Sequence, residues 1–288
     1  MKRQKTIKKE IIFNGIGVHS GKGVSVAIKP ASVNSGIIIN NKEFPNDKIK
    51  IGEIIPEAAM HATVIKNSKF FISTIEHLMA AIVWLEIDNV IIETLGYEIP
   101  ILDGSAAPFV YGLLDIQIVE QDEECKFLTP KEDLLFKDEK DRLIEILPAK
   151  QTLKGFDKNL YINYHADFEH PLVGKSNLNT VITKDFFIEQ IAPARTFGFL
   201  EQLPFLKQHD LAKGTSLGNT VVIGQDDFLN DQRYRDEFIK HKLLDLLGDL
   251  GLLGKRLAGT VRAKKTGHSF NRLVVEHFIK NPDKWILI

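Results

Sequence analysis

The sequence predicts an α+β protein in two parts. In each part, runs of alternating or β-branched residues come first and helical patterns follow, which is the order of α+β domains and not of alternating βα units. A polar stretch without periodicity, Glu120-Gln-Asp-Glu-Glu-Cys-Lys126, separates the two runs and is the candidate linker, giving parts at 1–120 and 127–288. A length of 288 residues suffices for one large domain or two ordinary ones.

The basic N-terminus Met1-Lys-Arg-Gln-Lys-Thr-Ile-Lys-Lys9 precedes no apolar run or small-residue cleavage site, so it reads as a solvated lead-in to a first strand. Strands are expected at about 10–19, 23–29, 36–40, 62–66 and 88–95. Gly15-Ile-Gly-Val-His-Ser-Gly-Lys-Gly23 lacks the spacing of a phosphate-binding loop and a helix after it, so a hairpin turn is expected there. Leu78, Ala81, Ile82 and Leu85 recur at helical spacing and predict a helix from Thr74 to Leu85. Asp103-Gly104 predicts a turn, and Ser105 can cap a second helix running through Leu114. The second part repeats the theme, with strands near 142–148, 159–166 and 178–182 and a helix at 185–191 that stops before Pro193. A long helix at 231–253, a strand at 258–264 and a closing helix at 270–279 complete it. A distant duplication of the two parts is compatible with this order but does not follow from it.

Hydrophobic content of 44% with 26% charged residues is that of a globular protein in water. A formal net charge of −1 gives no support for a nucleic-acid partner or a membrane coat, and no apolar run approaches a membrane span. One cysteine, Cys125, excludes an intramolecular disulfide and a Cys-rich zinc module. These features predict a cytoplasmic protein whose metal, if it holds one, is bound by His and carboxylate. The chain is expected to act as a monomer on a small molecule.

The long helix carries the strongest chemical signal. His241, Asp245 and Asp249 recur every fourth residue and share one face. Leu243, Leu244, Leu246, Leu247 and Leu250 make the rest of that helix apolar nearly all round. Such a helix is buried, so its polar stripe should face a cleft and a cation in place of bulk solvent. In Ser73-Thr-Ile-Glu76-His77, Glu76 also fits a capping box with Ser73, and His77 alone could be a core histidine. Together with His241 and Asp245 they offer three ligands and a spare carboxylate, which is the set a hydrolytic zinc site needs. His268, in Thr266-Gly-His-Ser-Phe-Asn271, stands just before a helix, whose positive end disfavours imidazolium. A carboxylate such as Asp249 would favour it, leaving a histidine balanced to act as a general acid. Thr196, in Ala194-Arg-Thr-Phe-Gly-Phe199, could donate to a developing oxyanion, although Phe-Gly-Phe is more often packing.

Taken in order, these segments resemble the UDP-3-O-acyl-N-acetylglucosamine deacetylase family. The matching stretches are Gly-Ile-Gly-Val-His-Ser-Gly-Lys at 15–22, Ser-Thr-Ile-Glu-His-Leu at 73–78 and Ile-Asp-Asn-Val at 87–90. Further on come Glu-Ile-Pro-Ile-Leu-Asp-Gly-Ser-Ala-Ala-Pro-Phe at 98–109, Ala-Arg-Thr-Phe-Gly-Phe at 194–199, His-Lys-Leu-Leu-Asp-Leu-Leu-Gly-Asp at 241–249 and Gly-His-Ser-Phe-Asn at 267–271. The resemblance implies two α+β domains with their helices sandwiched between the two sheets. It implies hydrolysis of the N-acetyl group of UDP-3-O-acyl-N-acetylglucosamine to the free amine and acetate, a linear-amide hydrolysis that is the committed step of lipid A biosynthesis. His77, His241 and Asp245 would hold Zn2+, with Fe2+ a metal the same ligands suit. Glu76 would be the base for the attacking water, and Thr196 would help polarise the carbonyl. His268, supported by Asp249, would protonate the leaving nitrogen. Lys242 would face the substrate's phosphates, Phe197 and Phe199 would line the hexosamine and acyl region, and Asp167 with Phe168 would lie near the uridine. Residues 199–224 would form an acyl-chain passage. The chain departs from the pattern at His61, where some members have cysteine, at Leu147, where relatives can place a substrate-binding lysine, and at Phe270, where a smaller aliphatic residue is usual. Two other readings are a different zinc amidase or peptidase on the same scaffold and a non-catalytic zinc-binding protein. Glu76 discriminates against the latter, since a structural site has no use for a spare base.

Overall fold

Two five-stranded sheets carry the molecule, and a computed structural model describes residues 2–288. The first sheet runs in the order Ile11–Ile16, Gly23–Pro30, Val90–Leu95, Ile37–Asn41, Phe44–Lys50. The second runs Leu134–Lys137, Leu143–Leu147, Gly259–Lys264, Leu160–Asp167, Lys175–Ile182. Numbered within its own sheet, each has strand order 1-2-5-3-4, and in each the one parallel pair joins the third strand to the fifth. The duplication left open by the sequence is therefore present as a repeated topology.

Among the described residues, six α-helices complete the fold: α1 (Glu76–Trp84), α2 (Ala107–Asp115), α3 (Lys184–Phe186), α4 (Leu203–Gln208), α5 (Glu237–Gly251) and α6 (His268–Lys280). In each half a helix precedes the fifth strand and another follows it, so α1 and α5 occupy equivalent places, as do α2 and α6. Every residue of α1 is buried, and every residue of α5 except Lys242. One hydrophobic core joins both sheets to these helices, from Ile28, Ile39 and Ile92 through Leu78 and Leu247 to Ile162 and Val261. α1 and α5 approach so closely that a Cβ on Gly248 would collide with the backbone carbonyl of Glu76. A glycine is required there because the close approach sets the site residues of the two helices side by side.

Several expectations need correction. Residues 3–7, read as a solvated lead-in, form the strand Arg3–Ile7, which pairs antiparallel with Ile118–Glu124. That partner covers most of the stretch read as a linker, a polar ribbon whose backbone bonds are made across the chain and leave no side-chain periodicity. The long helix starts at Glu237 and not at 231, because the Glu237 carboxylate accepts from the Arg195 and Arg233 backbone N–H groups and holds the preceding segment as a loop. The helix predicted at 185–191 begins as α3, where Thr183 Oγ1 accepts from Phe186 N–H, and continues as a wider π-helical turn over Phe187–Ile191. Ser73 makes no capping box with Glu76; its hydroxyl donates instead to the Tyr97 carbonyl. At the second helix the capping position is Ala106 and not Ser105; the Ser105 hydroxyl, one residue earlier, accepts from Ala107 N–H. The final strand Trp285–Leu287, paired with Phe127–Pro130, was not anticipated. No helix among the described residues is long and apolar enough to cross a membrane.

Candidate active site

The N-terminus of α1 and the middle of α5 meet at the floor of a cleft of about 900 Å³. From α1 come Glu76 and His77, and from α5 come His241, Asp245 and Asp249, all at most 5% exposed. Asp245 Oδ1 lies 3.6 Å from His77 Nε2 and 3.4 Å from His241 Nε2, and the ligand atoms of the three residues cluster within 4.8 Å. Ligands of a tetrahedral metal at about 2.0–2.1 Å stand roughly 3.3 Å apart, so the spacing fits one divalent ion. The donor chemistry agrees. His241 Nδ1 donates to the Ala194 carbonyl at 3.1 Å, which leaves Nε2 with a lone pair facing Asp245. Burial pulls the His241 imidazole down to about 3 despite the Asp245 carboxylate, so it is neutral. Burial would push the Asp245 carboxyl up, but the Lys242 ammonium holds it well below the usual range. A neutral imidazole and an ionised carboxylate are the states that bind a cation.

A second group, Glu76, Asp249 and His268, stands beside the first. His268 is the first residue of α6, and its Nδ1 is 2.9 Å from Asp249 Oδ2 while its Nε2 is 3.7 Å from Glu76 Oε1. Burial and the helix terminus both oppose a charged ring. The carboxylates of Asp249, Glu76 and Asp245 overcome them and raise the imidazolium to about 10. The Glu76 carboxyl is raised as well: burial pushes it up against the pull of His268 and His77. Asp249 also accepts from Asn271 Nδ2 at 2.8 Å.

Thr63 was not singled out from the sequence, yet it ties this group together. Its N–H donates to Glu76 Oε2 at 3.2 Å, its hydroxyl donates to Asp249 Oδ1 at 2.6 Å, and the same hydroxyl is 3.2 Å from His268 Nδ1. A threonine in a short strand carries no pattern that could have revealed this. Glu98, likewise unflagged, accepts from the backbone N–H groups of His19 and Ser20 and from the Thr74 hydroxyl, which fixes the glycine-rich turn against the start of α1.

The other candidates divide. Thr196, Phe197, Phe199, Phe168 and Lys242 line the cleft with the metal-ligand group. Thr196 is held by backbone bonds from its N–H to Gly104 O and from Val221 N–H to its carbonyl. The Phe197 ring packs on His241 at 6.0 Å and on Phe168 at 5.4 Å. Lys242 Nζ is 2.6 Å from Asp245 Oδ2, the oxygen turned away from the two imidazoles, and that carboxylate raises the ammonium although burial alone would lower it. Asp167 is not brought into the cleft; it pairs with Lys265 at 2.9 Å and Lys175 at 3.4 Å. His61 is exposed on a left-handed turn at the lip. The parallel strands Phe197–Phe199 and Val221–Ile223 frame the intervening segment, whose Leu203, Leu206, Leu211 and Leu217 give one wall of the cleft an apolar lining.

A family model described as UDP-3-O-acyl N-acetylglycosamine deacetylase matches residues 4–280. The UDP-3-O-acyl-N-acetylglucosamine deacetylase of Shewanella violacea is 40% identical over 291 residues, spanning 99% of this chain and 92% of its own. Those of Teredinibacter turnerae and Actinobacillus succinogenes are each 37% identical, over 295 residues (100% of this chain, 94% of theirs) and 297 residues (99% and 92%).

Proposed function

This chain belongs to the UDP-3-O-acyl N-acetylglycosamine deacetylase family, and from that membership we propose how its own residues carry the reaction. It hydrolyses the N-acetyl group of UDP-3-O-acyl-N-acetylglucosamine to the free amine and acetate, a step of lipid A biosynthesis. The observation that carries the residue assignment is the convergence of two triads, His77–His241–Asp245 and Glu76–Asp249–His268, on one cleft floor.

His77, His241 and Asp245 hold the metal, for which we favour Zn2+, with Fe2+ suited to the same ligands. When bound, the metal supplies Lewis-acid polarisation and makes water a nucleophile near neutral pH. Glu76 takes the proton of the attacking water, and its burial brings its basicity toward the working pH. The Thr196 hydroxyl donates to the carbonyl oxygen as negative charge develops there. The C–O bond to the acetyl carbon forms first; as the C–N bond then breaks, His268 Nε2, charged through Asp249, delivers its proton to the departing glucosamine nitrogen. Asp249 Oδ2 accepts from Nδ1 and keeps the ring's second nitrogen occupied. Phe197, Phe199 and Phe168 offer faces for the sugar and acyl groups, and the leucine-lined wall at 199–224 takes the acyl chain. Lys242 is placed to reach a phosphate once a metal competes for Asp245. The nucleotide-activated substrate and the lone free cysteine favour the cytoplasm as its location.

The direct test is acetate release from UDP-3-O-acyl-N-acetylglucosamine by the purified protein, before and after chelation and after readdition of metal. Turnover that is unaffected by complete metal removal would overturn the assignment of the triads.

A further inference from the structure

The turn at 103–105 in the first half and the segment 192–196 in the second meet beside the cleft. Two backbone bonds cross between them. Thr196 N–H donates to Gly104 O at 2.8 Å, and Ala106 N–H donates to Ala192 O at 2.9 Å. On its far side the Thr196 carbonyl accepts from Val221 N–H at 2.9 Å. The turn is pressed so close that a Cβ on Gly104, whose φ is +86°, would collide with the Asn219 carbonyl. The backbone of Thr196 is therefore fixed by where the turn of the first half stands.

The Arg233 side chain ties that turn down. It comes from the loop before α5 and reaches back to the first half. Its Nη2 donates to Asp103 Oδ2 at 2.7 Å, and its Nη1 donates to the Pro193 carbonyl at 2.8 Å and to Ser105 Oγ at 3.3 Å. Asp103 Oδ1 accepts from the N–H and the hydroxyl of Ser105 at 2.9 and 2.8 Å, which shapes the turn that presents Gly104 O. The planar guanidinium thus sets a carboxylate of one half and a carbonyl of the other at a fixed spacing, which the single point of an ammonium cannot do. Arg195, by contrast, spends its guanidinium on Glu237 and the Asp231 carbonyl, both within the second half.

Folding stability does not account for the contact. The Arg233 and Asp103 side chains are 33% and 30% exposed, and an ion pair so open to water is screened and adds little. What it fixes is geometry. Glu76 and His77 belong to the first half and Thr196 to the second, so their separation depends on how 103–105 is docked on 192–196.

We infer that Arg233 is a positioning residue for the deacetylation. It holds the turn at 103–105 so that Thr196 meets the substrate carbonyl in register with the residues of the first half. The inference rests on the role assigned to Thr196 above. Arg233 acts through Thr196, since it is not among the residues that line the cleft.

The test is a double-mutant cycle. Arg233→Met keeps the length of the side chain and removes its charge and its fork. The Arg233 N–H bond to Glu237, at 2.7 Å, survives the change because it is made by the backbone. kcat and KM for UDP-3-O-acyl-N-acetylglucosamine are measured, beside metal content and urea midpoint, for Arg233→Met, Arg233→Lys, Thr196→Val and the double variant carrying Arg233→Met and Thr196→Val. Arg233→Met should lower kcat by about tenfold or more, the scale of a small misplacement at the reacting centre, with KM and metal content unchanged. Arg233→Lys, which keeps the charge, should recover part of that loss. In the Thr196→Val background, Arg233→Met should change kcat by less than about twofold, because the group it positions is gone. The inference is overturned by parent kcat in Arg233→Met, by single losses that multiply in the double variant, or by a fall in metal content and urea midpoint that tracks the fall in turnover. Parent kcat in Thr196→Val overturns it one step earlier, by removing the role on which it rests; which single variant is silent tells the two failures apart.

Discussion

Glu76 and His241 sit close together at the cleft floor, yet their removal should read out differently. His241 presents Nε2 to the metal position, whereas Glu76 faces His268 and Thr63. His241→Ala should lower both bound metal and turnover. Glu76→Ala should keep the metal and lose about 10²–10⁴-fold in turnover, the usual contribution of a general base. Metal analysis beside acetate release separates the two; a Glu76→Ala protein that turns over normally would remove it from the mechanism. Asp249→Asn should follow Glu76, retaining metal while losing activity, because Asp249 contacts His268 and Asn271 and none of the three ligands. Thr63→Val keeps the shape and deletes the hydroxyl that bonds Asp249. One hydrogen bond to a charged group contributes about 1.5–3 kcal/mol, so turnover should fall roughly tenfold or more at unchanged metal content. Parent-like turnover in Thr63→Val would make that bond incidental. The His77–His241–Asp245 cluster was legible because His-x-x-x-Asp on a leucine-rich helix leaves no bland place for the polar groups. Thr63 was not, since its three contacts come from residues 13, 186 and 205 positions away.

The pair α1 and α5 is the structural element that makes the site, and Gly248 is where its backbones touch. A methyl at Gly248 must push α1 away from α5 or tilt it. Overpacking of this kind costs about 1–3 kcal/mol, but the loss of turnover in Gly248→Ala should exceed what that figure implies for folded protein. The displacement separates His77 from His241, so metal affinity should drop as well. Urea unfolding and a metal-competition titration on one preparation check both, and a destabilised protein with parent metal affinity would show that the contact acts on stability alone. The helices themselves were readable from their spacing. Their edges were not: the start of α5 is set by Glu237, fully buried and 2.9 Å from Arg195 Nε, a contact that links two distant segments. Polar edge strands escaped for a related reason, since a strand such as Phe44–Lys50, with Pro45, Asn46 and Asp47, shows no alternation to detect.

At the scale of the molecule, the N-terminal strand is tied to the rest of the first half by charge. Burial would raise the Glu86 carboxyl, but Lys2 and Lys5 donate to it and bring it from 4.5 down to about 2. A carboxyl depressed on folding stabilises the native state above its unfolded value. That contribution is therefore complete above about pH 4.5 and is lost as the pH falls toward 2. With the Lys2 side chain 58% exposed and screened by solvent, it amounts to about 1–2 kcal/mol. Glu86→Gln should be less stable than the parent by that amount at pH 7, and the gap should be smaller at pH 3, closing only as the pH falls through about 2. Urea midpoints at the two pH values decide it; an equal gap at both would show that the carboxyl's charge is not the cause. The two-part α+β organisation was visible in the order of strands and helices. The identical 1-2-5-3-4 connectivity of the two sheets was not, because hydrogen-bond partners between distant strands leave no trace in local pattern.

That repeated arrangement places Glu76 and His77 on one half and His241, Asp245 and His268 on the other. During synthesis from the N-terminus, the first half is complete long before α5 leaves the ribosome. The His77–His241–Asp245 cluster is thus assembled only in the finished chain, from residues of both halves. A nascent protein halted between the halves would lack His241 and Asp245 and would leave bare the face of α1 that α5 covers.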